Sequence, residues 1–367
     1  MLFHWYLFVF LIIFYAVARM GNQRYQVYVG GEYEGRYKWF TALVIIAVLT
    51  YVATMRATRF GDTGAYIRGY LDIDPTWDSV VKTFQNDGKD KGFTVAATLL
   101  KMLIGDSYRI YLGVIAGFCL LCVFFVYRKH SSNLFMTTFL FLASGEYVQW
   151  THNGMRQFIA VSMIFAATNL LLKKRYVPYV AIILLATTFH ASAFIMLPVI
   201  FVVQGRAWNL KSIAMLLAVL AVTSSSNLLN ELLLGIMENS QYSNDVDALM
   251  STGGTNPFRV AVFAIPPLMA LLFRNQINRL NIPIINLSVN MSIVSFGVFI
   301  ISMFTSGIYI GRMPIYFSLY NYLLLPWVIE RFFEKRSSKL IYLIAICCYM
   351  VFYYYQMHVI WSFSTSL

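Results

Sequence analysis

The chain reads as an all-α, polytopic integral membrane protein of about twelve transmembrane helices. Three observations predict this class. Of its 367 residues, 59% are hydrophobic and 12% charged, against about 25% charged in a typical soluble domain. Mean hydropathy is +0.65. Apolar runs of roughly 17–20 residues recur, long enough to cross a bilayer as helices, and no segment repeats the alternation of a membrane β-barrel.

The first run, 2–18, ends in Ala16-Val17-Ala18, which looks like a signal-peptidase site. No basic residue precedes Arg19, however, and a signal peptide needs a positive leading region, so a retained span is expected. The further expected spans are 39–55, 108–127, 134–148, 158–172, 176–189, 191–203, 211–223, 258–273, 286–304, 313–329 and 339–357. The run 93–105 is too short to cross and reads as a half-helix or interfacial helix. All of 1–367 is read as one polytopic domain.

The net charge of +12 would suggest nucleic acid in a soluble protein; here its distribution along the chain explains it. Segment 19–38, "RKH" (128–130), "KKR" (173–175), Arg206 with Lys211, Arg274 with Arg279, and "RFFEKRSSK" (331–339) fall on alternate loops. They hold about 17 of the 28 Lys and Arg and about 4 of the 16 acidic residues, which places them in the cytoplasm by the positive-inside rule. Two long outer loops result, 56–92 and 224–257, each with a short interfacial helix expected. The second includes "NLLNELLLGIMENS", whose apolar face suits the outer leaflet. The first mixes Arg56, Arg59 and Arg68 with Asp62, Asp72, Asp74 and Asp78. Arginines on an outer loop run against the bias, so either the loop is partly misplaced or they have an anionic ligand.

The four cysteines, Cys119, Cys122, Cys347 and Cys348, all lie inside apolar runs and read as packing thiols. No acidic cluster calls for a metal, and no nucleotide-binding loop is present, so neither a metal nor a cofactor is expected.

Chemistry concentrates in a few polar segments on the expected outer side. "QWTHNGMRQFIA" (149–160) packs His152, Asn153, Arg156 and Gln157 together. On one continuous helix, Asn153 and Gln157, or His152 and Arg156, would share a face. Arg156 would stand near a helix start, where backbone N–H groups favour anions; the alternative is a snorkelling anchor. Arg312 in "GRMPIY" (311–316) carries the same two readings. His190 in "FHASAF" (189–194) interrupts a long apolar run and is a titratable site residue or a satisfied core histidine. Asp62 in "GDTGAY" (61–66) is a site carboxylate or an Asx-turn residue. Glu146 is a weaker candidate. The aromatic content of 17% fits an interface belt first and sugar stacking second.

Taken together, "GDTGAY", "KGF" (91–93), "NGMRQ" (153–157), "FHASAF" and "GRMPIY" resemble the EpsG family of Wzy-type exopolysaccharide and O-antigen polymerases. The resemblance covers roughly residues 55–320. Its most specific part is N-x-x-R-Q followed about thirty residues on by H-x-S-A. Lys91 stands where an acidic residue is expected before the glycine of "KGF", which leaves the role of Asp90 open.

The resemblance implies a glycosyltransferase of GT-C-like architecture in the bacterial plasma membrane, with its active site on the periplasmic or extracellular side. The implied substrate, as donor and as acceptor, is an undecaprenyl-diphosphate-linked oligosaccharide; membrane lipids, a chain-length regulator and a flippase are the implied partners, and no nucleic acid. Within that frame Arg156, Arg312 and Arg59 suit the diphosphate leaving group. His190 or Asp62 suits the general base. Asn153, Gln157, His152, Tyr66, Ser192 and Tyr316 complete the expected substrate contacts. A flippase or other transporter of lipid-linked oligosaccharide, an O-antigen ligase or another lipid-linked glycosyltransferase, an acyltransferase and a non-catalytic scaffold remain the alternative readings.

Overall fold

The computed structural model describes residues 2–86, 88–225 and 253–360. The amphipathic stretch expected at 227–240 lies outside the described residues. Those that are described form helices almost throughout, as the apolar composition requires: in hydrocarbon every backbone N–H and C=O must be satisfied within its own segment.

Among the described residues, four helices are long and apolar enough to cross a membrane: Tyr108–His130, Met155–Leu172, Pro283–Met303 and Lys335–Ile360. A fifth span exists if Pro257–Leu272 and Arg274–Leu280, bent by 69° at their junction, act as one. Six further apolar helices run 10–17 residues. The protein is an all-α integral membrane protein.

The described residues group into two compact units. The first comprises 1–195 with 333–367. It opens with α1 (Leu2–Met20) and a two-stranded antiparallel hairpin, β1 (Arg24–Val29) and β2 (Glu32–Tyr37). The hairpin was not expected inside the basic loop 19–38. Its cause is legible in "VGGE": Gly30 at φ 56° and Gly31 at φ 92° give the paired left-handed residues that a tight turn between right-twisted strands demands. Arg24 faces Tyr37 across the ladder and donates through Nη2 to its hydroxyl at 2.6 Å.

Next come α2 (Trp39–Thr54), α3 (Thr63–Leu71), α4 (Trp77–Gln85), α5 (Lys91–Ile104) and α6 (Tyr108–His130). Helix α6 is central, packed by α2 on one side and by α9 (Met155–Ala166) on the other. Gly113 and Gly117 let α2 approach it closely. A Cβ at Gly113 would sit 2.8 Å from Thr54 Oγ1, and one at Gly117 3.5 Å from Thr50 Cγ2. This is the small-xxx-small packing that membrane helices use in place of a hydrophobic drive.

The expected span 134–148 is not continuous. α7 (Leu134–Ala143) stops at Ser144, Gly145 turns at φ 79°, and α8 (Glu146–His152) starts afresh. α9 then leads through α10 (Thr168–Leu172) to α11 (Tyr176–Phe189) and a 3₁₀ turn, Ala191–Ile195. The C-terminal helix α19 (Lys335–Tyr355) packs on α7.

The second unit, 196–332, contains α12 (Met196–Val203), α13 (Leu210–Thr223), α14 (Pro257–Leu272), α15 (Arg274–Leu280), α16 (Pro283–Met303), α17 (Ile315–Ser318) and α18 (Asn321–Phe332). The expected span 313–329 is divided between α17 and α18. Helix α16 is this unit's core and contacts α12, α13, α14 and α18. Asn290, fully buried on it, accepts from Trp208 N (3.1 Å) and donates to Val203 O (3.1 Å) and Arg206 O (3.0 Å). A polar side chain that deep persists because its amide is spent on the otherwise open backbone of 203–208.

Candidate functional site

The site in the first unit is built on two helix breaks. Between α8 and α9 the chain turns at Asn153-Gly154. Gly154 is required there: a Cβ would lie 2.5 Å from Cε3 of the buried Trp150. Trp150 Nε1 in turn donates to the buried carboxylate of Glu146, one turn back.

The break corrects one expectation. His152 and Arg156, or Asn153 and Gln157, do not share the face of one helix; the first of each pair ends α8 and the second belongs to the first turn of α9. Spacing of four puts residues on one face only where the helix is continuous. His152 is fully buried, its Nδ1 2.7 Å from Thr151 Oγ1 and its ring centroid 4.9 Å from that of Phe60. Gln157 is buried within α9.

The loop from α2 to α3 docks on this corner. Asn153 Oδ1 accepts from the backbone N–H of Asp62 at 3.0 Å, and Thr63 Oγ1 donates to His152 O at 3.1 Å. Gly61, at φ 48°, brings backbone so close that a Cβ would sit 2.6 Å from Asn153 Oδ1. Asp62 occupies the N-cap position of α3, yet its exposed carboxylate makes no capping bond. Arg59 is exposed on the same loop.

Arg56, the residue that follows the end of α2 by two, is 9% exposed. Its Nη1 donates to Thr151 O (2.6 Å) and Ala53 O (3.2 Å), and its Nη2 reaches Met155 Sδ (2.7 Å). Burial pushes its pKa down to about 10, which leaves it charged at neutral pH.

Arg156 is the centre of the arrangement. Its Nη1 donates to Asp90 Oδ2 at 3.2 Å, with the Asp90 side chain 12% exposed and that of Arg156 43%. The guanidinium carbon stands 4.9 Å from the Phe93 ring centroid and 5.7 Å from that of Tyr66. Asp90 occupies the N-cap position of α5 in a left-handed conformation, φ 55°, with no side-chain capping bond. Helix α5 reaches this corner because Gly92 lies on the end of α11: a Cβ there would collide with Thr188 Oγ1 and come within 3.0 Å of the Thr188 carbonyl carbon.

Two residues beyond Thr188, α11 ends at Phe189 and His190 is extended (φ −161°, ψ 119°). Its Nδ1 is 2.7 Å from Ser192 Oγ and accepts from Ser192 N at 3.4 Å. An Nδ1 that accepts from a backbone N–H leaves the neutral ring's proton on Nε2. His190 is half-buried, Ser192 buried. The structure therefore brings "GDTGAY", "KGF", "NGMRQ" and the end of α11 together.

Arg312 and Tyr316 belong to the second unit. Arg312 ends a 3₁₀ turn, Ile310–Arg312, and is half-buried; Tyr316 is buried in α17. The turn is held by a backbone clasp that the sequence did not reveal. Thr255 N donates to Ser302 O (2.8 Å), Gly307 N to Gly253 O (3.1 Å), and Ser302 Oγ to Thr255 Oγ1 (2.8 Å). A Cβ at Gly311 would lie 2.6 Å from Thr255 Oγ1, and one at Gly254 2.7 Å from the Met303 carbonyl carbon. Only glycines permit backbones to meet this closely.

The residues missed in sequence differ in what could have revealed them. Gly253-Gly254-Thr255 carried a turn signal. Asp90 and Arg56 were visible as charges, but nothing local marks one as the partner of Arg156 and the other as buried. No curated protein and no solved structure matches the chain. The EpsG family matches over residues 38–364, nearly the whole length; the chain belongs to the EpsG family, a Wzy-like polymerase family.

Proposed function

We propose that this polysaccharide polymerase transfers a growing glycan from a polyprenyl diphosphate carrier onto a sugar hydroxyl of another lipid-linked repeat unit, at the outer face of the plasma membrane. The observation that carries the reading is Arg156: a guanidinium 43% exposed, bracketed by Phe93 and Tyr66, at the first turn of a membrane helix. Asp90 engages only Nη1, and Nε is buried without a hydrogen-bond partner, so the guanidinium keeps donors for a further anion, and a diphosphate is the leaving group that suits them. Aromatic faces beside it suit a sugar ring.

In the transfer, the bond from the donor's anomeric carbon to the phosphate oxygen breaks. The acceptor hydroxyl oxygen bonds to that carbon, its proton passes to a base, and the electron pair leaves on the carrier diphosphate. Arg156 and Arg59 neutralise that charge. Asn153, Tyr66 and Ser192 orient the sugars and the diphosphate, while the buried His152 and Gln157 shape the corner that holds them. Asp62, exposed beside Asn153, and His190 are the candidates for the base. The Nε2–H tautomer of His190 suits donation to a phosphate or sugar oxygen better than proton abstraction, so Asp62 leads.

The test is the purified protein in proteoliposomes with one lipid-linked repeat unit, read as a ladder of chain lengths. Arg156→Ala should abolish the ladder while the protein still inserts; lysine should not restore it fully, because it lacks the planar fork. Arg312→Ala tests the second unit's arginine by itself. Movement of the lipid-linked unit across the bilayer without any ladder would favour a flippase instead.

A further inference from the structure

Arg56 presents an unusual balance of charge. It is 9% exposed, and among the described residues no carboxylate pairs with it. Its donors are unevenly used. Nη1 is committed to two carbonyl oxygens. Nη2 reaches a thioether, a weak acceptor, and Nε is buried without any partner. The Nε/Nη2 edge is one of the two edges by which a guanidinium grips a carboxylate or phosphate with two parallel bonds. Here that edge meets Met155 Sδ, on one of the most pliable of apolar side chains.

The surroundings point the same way. Met155 immediately precedes Arg156. The hydroxyl of Tyr111 lies within electrostatic range of both guanidiniums. Tyr66 interacts electrostatically with Arg56 and lies under Arg156. Tyr66 thus lies near both guanidiniums, and of the two Arg156 alone has an acidic partner.

We propose that Arg56 is the second guanidinium of an anion site shared with Arg156. Its Nε/Nη2 edge takes one phosphate of a diphosphate once the Met155 side chain swings aside, and Arg156 takes the other. This rests on the reading of the site as one that accepts a diphosphate-linked lipid. Of the three arginines on that loop, it assigns an anionic ligand to the buried one.

The probes are geranyl diphosphate and geranyl monophosphate, titrated calorimetrically into the full-length protein in detergent. Wild type should bind the diphosphate about tenfold or more tightly than the monophosphate, one charge-assisted bidentate contact being of that order. Arg56→Gln should bring diphosphate affinity down to the monophosphate level and leave monophosphate binding on Arg156 as it was. Arg56→Lys keeps the charge and a donor for Thr151 O, so it remains folded if glutamine does not; it too should lose the preference for diphosphate. A folded Arg56→Lys protein with wild-type preference overturns the proposal and makes Arg56 a staple between α2 and α8. The polymerase reading fails separately. Arg56-dependent diphosphate binding with no ladder from a lipid-linked unit sinks the polymerase and keeps the site, while a normal ladder with Arg56-independent binding does the reverse.

Discussion

Asp90 and Arg156, 66 positions apart in sequence, meet at 3.2 Å, and the acid does so from a left-handed backbone conformation. The pair is partly exposed, so its stability value is at most about 1 kcal/mol. Its consequence lies in where it holds the guanidinium, over Phe93 and beside Tyr66. Asp90→Asn should therefore leave the melting temperature within a few degrees of wild type and shorten or abolish the glycan ladder. An unchanged ladder from the asparagine variant would remove Asp90 from the site.

The contact between Gly92 and Thr188 is what places α5 beside Arg156. Gly92→Ala forces its Cβ into the Thr188 side chain, and overpacking of this kind costs about 1–3 kcal/mol. Activity should fall with stability. Gly92→Ala with Thr188→Ala should recover part of both, since the colliding hydroxyl is gone. A single variant as stable as wild type would show that α5 shifts freely.

His190→Gln separates a chemical from a structural role. Glutamine can still exchange hydrogen bonds with Ser192 and hold the 3₁₀ turn. If the imidazole takes part in transfer, the variant should fold, bind the carrier lipid and make no polymer at any pH. Lowered stability with turnover surviving in the folded fraction would make it a residue of the turn alone.

Asn290→Leu should be the most damaging single change in the second unit. It strands Trp208 N, Val203 O and Arg206 O without their partner, at about 1–3 kcal/mol for each buried group left unsatisfied. Melting in detergent should drop by many degrees; a drop of under two would mean that water replaces the amide.

The positive-inside distribution of charge predicts an orientation that thiol labelling tests. Cysteines placed at Gln26 in the hairpin and at Ser337, both exposed, should be shielded from an impermeant thiol reagent in intact cells. One placed at Thr76, also exposed, should react. Labelling of the first two from outside would invert the orientation and put the Arg156 cluster on the cytoplasmic side.

What the sequence determined by itself was set by local and statistical properties. Apolar runs dictate helices in a bilayer, and "NGMRQ" with "FHASAF" identified the family, so the helical membrane class and most polar segments of the first unit's site were legible. The break after His190 was visible too, as a polar residue before Ala191-Ser192-Ala193. Tertiary structure decided the rest. Whether 134–148 and 149–160 run as continuous helices depends on the left-handed turn at Gly145 and on how Gly154 meets Trp150, which no periodicity encodes. Arg56 and Arg59 look alike in the sequence, yet one is buried against Thr151 and Met155 and the other is exposed. Asp90 was a charge without a known partner until α5 was laid against α11. A charge's sign can be read along the chain, but its partner and its burial arise only from contacts between residues distant in sequence, and those depend on packing at the few positions where a glycine lets two backbones close.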